Sequence, residues 1–389
     1  MILRHQLPVW SPVTLSALIA GLVPRKSSPG RIADRVRAEY GGGPVQLTSS
    51  GTVALALAFR ASAPAGERPR IALPAWGCYD LMTAADAVDA TVLLYDLDPG
   101  RLVPDPVSLD AVLAQAPHAV VVAHWFGIPI DLAAIREEAG RRGIVLIDDA
   151  AQAVGSYLGA SPAGALGDLG ILSFGRGKGR TGGSGGALVP TTARGVEVMS
   201  RLLPVQEPAS GWKFYASLWA QWALGRPSLY GLPRSLPVLG LGQTVYRSAP
   251  ELRGLPARNA EVLGRVWDRS TTDAKGRGNR AQRWRDLLQN RRGVRLIEVD
   301  REARPGWLRF PILASGESLE SLTSPRAEAA GIARGYRLVM VELPVSSGRI
   351  LNVRREFPGA RALAATLLTL PTHSMVSDRD FSIVEALHI

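Results

Sequence analysis

Cysteine is almost absent: Cys78 is the only one in 389 residues. A single thiol excludes an internal disulfide framework and a multi-cysteine metal site, and nothing in the chain requires an oxidising compartment. Histidine is scarce too, five in all, so no ligand cluster for a catalytic metal stands out and none is expected. Long apolar runs are missing. The aromatic-rich stretch 211–242 is divided by Pro227, Pro233 and Pro237, and its continuous apolar part is too short and too polar to span a bilayer. The opening MILRHQLPVWSPVTLSALIAGL sets a basic residue before an apolar stretch. Pro8, Ser11, Pro12 and Ser16 break that stretch and no clean small-residue cleavage site follows, so it reads as an amphipathic segment rather than a signal peptide. A cytoplasmic protein is expected.

Acidic residues are outnumbered, 34 against 45 Lys and Arg, for a net charge of +11. Nucleic acid, an anionic membrane or an anionic substrate could each use such an excess. The arginines are scattered along the chain, however, with one denser run from Arg277 to Arg295. No RNP pattern, zinc-finger spacing or aromatic–basic stripe accompanies them, so no nucleic-acid partner is expected. Hydrophobic residues make up 46% and charged residues 20% of the chain, the balance of a folded protein. The length suggests two or three domains.

What is present is an alternating α/β pattern. Strands are expected at 70–74, 90–98, 119–127, 143–151, 168–175 and 184–191, with helices at 50–63, 131–143 and 192–203. Apolar strands alternating with helices at this spacing predict a mostly parallel sheet covered on both faces. In such sheets chemistry sits at the C-terminal strand ends, where Trp76, His124, Asp149 and Lys178 fall. The stretch 211–242 reads as a helix packed on the large domain or on a partner subunit, with peripheral contact at a membrane surface as the alternative. Beyond it, 251–292 reads as a long helical region, 293–299, 308–314 and 336–343 as strands, and 319–334 as a helix. These form a smaller α/β domain. The expected division is an N-terminal segment 1–45, a large domain 46–245 and a small domain 246–389.

Three groups carry candidate chemistry. In SFGRGKGRTGGSGGALV (173–189), Lys178 sits among glycines just past a strand. The order does not fit a nucleotide P-loop, since no GK[ST] ending exists, whereas a lysine in a glycine-lined pocket suits a Schiff base. Asp148 and Asp149 end an apolar strand. Two carboxylates there are costly if unpaired, and they could bind a metal, act as acid and base, or pair with a cofactor cation. SSGT (49–52) opens a helix, where free backbone N–H groups make an anion site.

These elements are collinear with those of a known family. Ser50, Gly51 and Thr52 match its SGT element, and PAWGCY (74–79) its proline-led loop. His124, Gly127, Pro129 and Asp131 follow its His-Gly-Pro-Asp pattern. Asp148, Asp149, Ala150 and Gln152 match its acidic strand end, and Ser173, Phe174, Lys178, Gly183, Gly185 and Gly186 its lysine element. The chain therefore resembles the DegT/DnrJ/EryC1/StrS aminotransferases. The match is dense over residues 40–190 and loose elsewhere.

That resemblance implies a fold-type I transferase fold dependent on pyridoxal phosphate, with a large domain around a mostly parallel mixed seven-stranded sheet and a small C-terminal α/β domain. It implies Lys178 as the residue that holds the cofactor and shuttles a proton, Asp149 at the pyridine nitrogen, Gln152 near the ring hydroxyl, and Ser50, Gly51, Thr52 and Ser173 at the phosphate. The family's ring-stacking aromatic falls nearest Cys78, which cannot stack, so Trp76 or Tyr79 is expected to cover the ring. His124 and Arg247 are candidate substrate contacts. The family's Gly-x-Asn-Tyr-Arg loop is replaced by a longer segment in which LGQTVYR (241–247) is the nearest counterpart, and the family's Glu is Ser184 here. The implied reaction moves an amino group from glutamate to the keto group of a nucleotide-linked sugar, in a homodimer whose residues 211–247 reach the partner's site. A pyridoxal-phosphate enzyme acting on a non-sugar or lipid-linked substrate, and a non-catalytic member of the fold, are the alternatives.

Overall fold

The computed structural model describes residues 4–10, 12–234, 246–344 and 348–387. Seven strands build the main sheet: β1 (Gln46–Thr48), β2 (Arg70–Pro74), β3 (Thr91–Tyr95), β4 (Ala119–Ala123), β5 (Val145–Asp149), β6 (Leu169–Ser173) and β7 (Gly186–Pro190). Their order is β1-β7-β6-β5-β4-β2-β3. β7 runs antiparallel to both of its neighbours, and every other pairing is parallel. β4 to β7 are buried along their whole length. Their continuous apolar runs, AVVVA above all, suit strands covered on both faces.

Six helices matter to the site: α1 (Leu15–Leu22), α2 (Ser28–Tyr40), α3 (Gly51–Ser62), α4 (Trp212–Leu224), α5 (Ala257–Val266) and α6 (Ser270–Leu288). α2 buries Ile32, Val36 and Tyr40, one face at a spacing of four. α4 buries Tyr215 and Leu218 against Ala17 and Leu18 of α1 and Val262 of α5, and the Tyr215 hydroxyl donates to the carbonyl of Leu18. The aromatic stretch is thus helical and docked within its own chain, and its part from 235 to 242 lies outside the described residues. Among the described residues no helix is long and apolar enough to cross a membrane.

The expected long helical region 251–292 resolves into α5 and α6, joined by a turn at Trp267–Arg269. α5 and that turn pack with the large layer, with Leu255, Ala260, Leu263 and Trp267 meeting Leu172, Phe174 and Ala187. The small sheet is antiparallel throughout, with strands β8 (Val294–Leu296), β9 (Phe310–Ala314), β10 (Ala333–Arg334) and β11 (Leu367–Leu370) in the order β8-β9-β11-β10. Two expectations fail here. The helix at 319–334 is instead two short helices, Gly316–Leu322 and Pro325–Ala329, followed by β10. Ser324 caps the second by accepting from Ala327 N, and Pro325 starts a helix more readily than it continues one. The run 336–343 is not a strand either. Its groups bond to the large domain: Met340 N donates to Ala75 O at 2.8 Å, and Leu338 N to the Tyr79 hydroxyl at 2.9 Å. Apolar periodicity does not say which surface a run will meet.

Candidate active site

The parallel strands end together, and the loops beyond them enclose a cavity of about 350 Å³. Its wall brings together Ser50, Gly51, Thr52, His124, Asp149, Gln152, Ser173, Lys178 and Arg247 from the sequence-derived set. Trp76 and Tyr79 are not on that wall. Trp76 is fully buried, with ring centroids 5.7 Å from Trp125 and 5.3 Å from Tyr336. These rings fill the seam between residues 75–79 and 336–340. Cys78, between them in sequence, lines the cavity, as does Trp125.

Asp148 and Asp149 are separated by strand alternation, because successive side chains take opposite faces. Asp148 is fully buried. It accepts from Gly164 N and Leu166 N, each at 2.8 Å, and meets His124 Nε2 at 2.7 Å. Ile130 N donates to His124 Nδ1 at 3.1 Å, so Nε2 is the protonated nitrogen facing Asp148. With both ring nitrogens engaged, His124 offers a ligand its ring rather than a hydrogen bond. Asp149 lines the cavity and accepts one hydrogen bond, from Ala151 N at 2.9 Å. Burial pushes its carboxyl up to about 6, against the opposing pull of the Ala151 N–H and the Lys178 ammonium.

Lys178 is carried by the loop that links β6 to β7. The Thr181 hydroxyl donates to Gly175 O at 2.9 Å and accepts from Gly183 N at 3.0 Å, which folds the loop on itself. Opposite stands the start of α3. Ser50 Oγ caps it by accepting from Val53 N at 3.2 Å, and the remaining N–H groups of a helix start favour an anion. A Cβ at Gly51 would lie 2.9 Å from Ser173 Cβ. Glycine there lets the helix start approach the Ser173 hydroxyl. Arg176 and Arg247 are exposed and line the same cavity, as does Phe214 of α4. Thr83 Oγ1 donates to Arg247 O at 3.1 Å. Phe214 and Arg247 therefore reach the cavity of their own chain, while Gln243 and Thr244 lie outside the described residues.

Sequence reasoning missed Tyr336. Gln152 Oε1 accepts from Phe126 N at 3.2 Å, and its Nε2 donates to the Tyr336 hydroxyl at 3.0 Å. Burial and the neighbouring Cys78 keep that phenol well above its ordinary value. No local signal marks Tyr336, because its hydrogen-bond partner Gln152 lies 184 residues away in the chain.

The residues present fit pyridoxal phosphate. A buried carboxylate of raised pKa matches a pyridinium nitrogen, a helix start with a serine matches a phosphate, and a lysine amine lies within electrostatic reach of that carboxylate. Among the described residues no cluster of metal ligands competes with this arrangement.

Sheet, strand order and site position together define a fold-type I transferase architecture. Two solved structures share it. The sugar aminotransferase CalS13 from Micromonospora echinospora superposes with a TM-score of 0.73 at 21% identity, over 99% of this chain and 98% of that one. DesI, solved in the presence of its TDP-sugar product, superposes at 0.74 and 20% identity, over 99% and 91%. In sequence, residues 34–206 match the model of the DegT/DnrJ/EryC1/StrS aminotransferase family. A stretch of 169 residues is 35% identical to an L-glutamine:2-deoxy-scyllo-inosose aminotransferase of Streptomyces kanamyceticus, covering 42% of this chain and 39% of that protein. Another of 126 residues is 30% identical to the UDP-N-acetyl-3-dehydro-alpha-D-glucosamine 3-aminotransferase of Acidithiobacillus ferrooxidans, covering 32% and 34%. The matched stretches span well under half of those relatives.

Proposed function

We propose that this protein is a pyridoxal-phosphate-dependent aminotransferase that delivers an amino group to a keto carbon of a sugar-related acceptor. The observation that carries the reading is the meeting, in one cavity, of Lys178, the buried Asp149 and the anion-binding start of α3. When bound, the cofactor supplies an aldehyde that takes up an amino group and a ring that withdraws electrons from the reacting carbon. Lys178 Nζ attaches the cofactor and moves a proton at the amino-bearing carbon. Asp149 holds a proton at the ring nitrogen, favoured because a buried carboxylate gains most from a cation. Gly51, Thr52 and Ser173 hold the phosphate. Gln152, fixed between Phe126 and Tyr336, orients the ring edge, and Arg176 and Arg247 draw anionic substrate to the mouth.

For the acceptor we favour a nucleotide-linked keto-sugar with glutamate as donor, which the cationic rim supports. The inosose aminotransferases among the relatives support a free keto-cyclitol with glutamine instead. A panel of both acceptor types with both donors, read by mass spectrometry, decides between them. The unit is proposed to be a homodimer, joined over the apolar face that α1 and α4 leave exposed at Ile19, Trp212 and Leu224. The test of the whole reading is a cofactor titration. Wild type turns yellow and fixes the cofactor with borohydride, and Lys178→Ala loses both that fixation and transamination. Full activity in Lys178→Ala removes the reading.

A further inference from the structure

A second cavity, of about 200 Å³, lies between the N-terminal segment, α6 and the loop after β11. Trp10, Thr272, Asp273, Arg277, Arg280 and His373 line it, and it shares no lining residue with the cofactor cavity. Arg277 is 6% exposed. Its Nε donates to Gly306 O at 2.5 Å, and among the described residues no carboxylate lies within ion-pairing distance of its guanidinium. Arg280, half-buried, likewise has no carboxylate within ion-pairing distance among the described residues. Its Nη1 donates to Gly276 O at 2.8 Å and Thr372 O at 3.5 Å, both carbonyls.

A buried guanidinium with no ion pair is expensive, and Arg277 shares this space with the half-buried Arg280. Burial holds Arg277 down to about 10 and moves Arg280 the same way. The one carboxylate on the wall is Asp273, which burial pushes up, and Arg269 lies within its electrostatic reach besides Arg277 and Arg280. His373 adds no positive charge at neutral pH, since burial holds it down to about 4. The space corresponds to about seven water molecules by liquid volume, which is room for a small oxyanion.

We propose that this cavity is a second anion site, taking a small phosphate- or carboxylate-bearing ligand between Arg277 and Arg280. It backs directly onto the lysine loop. A Cβ at Gly179, the residue after Lys178, would lie 3.6 Å from Arg277 Nη2 and 2.8 Å from Val154 O. An anion held by Arg277 therefore sits behind the segment that presents Lys178, and its charge adds to that of the cofactor phosphate on the other side.

The test is calorimetric titration of the cofactor-saturated full chain, in an amine buffer, with inorganic phosphate in one arm and malonate in the other. Loading the cofactor first fills the phosphate cradle at the start of α3. Saturable binding is expected in at least one arm, and the stronger arm identifies the ligand's anionic group. Arg277→Gln and Arg280→Gln should each weaken it about tenfold, the worth of one charge-assisted hydrogen bond, while Lys275→Gln, exposed on the same helix, leaves it unchanged. Absence of binding in both arms up to roughly 10 mM, the weak end of specific affinity, overturns the proposal. So does binding that both arginine variants leave intact, because the anion then sits elsewhere. If Arg277→Gln does not fold, the wild-type and Arg280→Gln titrations still decide. A failure of cofactor loading appears separately, as the absence of the visible absorbance band.

Discussion

Replacing Asp149 by asparagine should move stability and turnover in opposite directions. In the cofactor-free protein the carboxyl titrates at about 6 rather than the ordinary 3.8. That difference is roughly two pH units, each worth about 1.4 kcal/mol, so the buried charge costs the folded state about 3 kcal/mol. Asp149 is 7% exposed, so solvent screening removes little of this. The sign follows from proton linkage. Between about pH 4 and 6 the folded chain keeps a proton that the unfolded chain has released, so stability falls as pH rises through that window and stays reduced above it. The asparagine side chain carries no charge to desolvate, and its carbonyl oxygen can still accept from Ala151 N. Urea denaturation of the cofactor-free Asp149→Asn variant should show a gain of about 2–3 kcal/mol at pH 8 that vanishes near pH 4. The same variant should lose roughly 100-fold or more in kcat, because it no longer favours the protonated ring. A variant that is less stable at pH 8, or one whose stability difference from wild type is the same at pH 4 and pH 8, refutes the account of Asp149 as a carboxylate whose burial outweighs its partners.

Asp148 should behave as the structural neighbour. Asp148→Ala removes the acceptor of two backbone N–H groups and the carboxylate that faces His124 Nε2, so a stability loss of about 3 kcal/mol or more is expected in the same urea assay. An unchanged midpoint would show that the pairing carries no weight. Burial pushes the Cys78 thiol up to about 12, so iodoacetamide should alkylate the native protein at pH 8 far more slowly than the urea-unfolded chain. Equal rates would place the thiol in a different environment. Sedimentation should give a mass near twice 41.5 kDa, and Ile19→Asp with Leu224→Asp should shift it toward the monomer. A wild-type monomer at all concentrations rules out the proposed interface.

Much of the architecture was legible because it depends on short-range rules. Buried parallel strands read as unbroken apolar runs such as AVVVA, the turn at SSGT announces a helix start, and the glycines around Lys178 mark a loop that must bend tightly. The spacing of these elements along the chain carried the family resemblance, which pointed to Lys178, Asp149 and the start of α3, and the folded chain lines one cavity with all three. Even the choice between Asp148 and Asp149 was partly present in the sequence, since strand alternation sends adjacent residues to opposite faces.

The tertiary structure decided everything that depends on which distant surfaces meet. Trp76 and Tyr79 sit within the right loop, yet both are absorbed by the seam with residues 336–340, and Cys78 faces the cavity. His124 stands on the wall with both ring nitrogens already engaged by Asp148 and Ile130. Tyr336 enters from the small domain to hold Gln152. Phe214 and Arg247 reach the cavity of their own chain. The approach of Arg277 and Arg280 to one cavity, with Asp273 as its one carboxylate among the described residues, is likewise invisible in an arginine-scattered sequence. Strand period, caps and turns are set by neighbours a few residues apart, so the sequence by itself determined them. Side-chain partners across a domain seam are set by the competition of whole surfaces for burial, and only the folded chain resolves that competition.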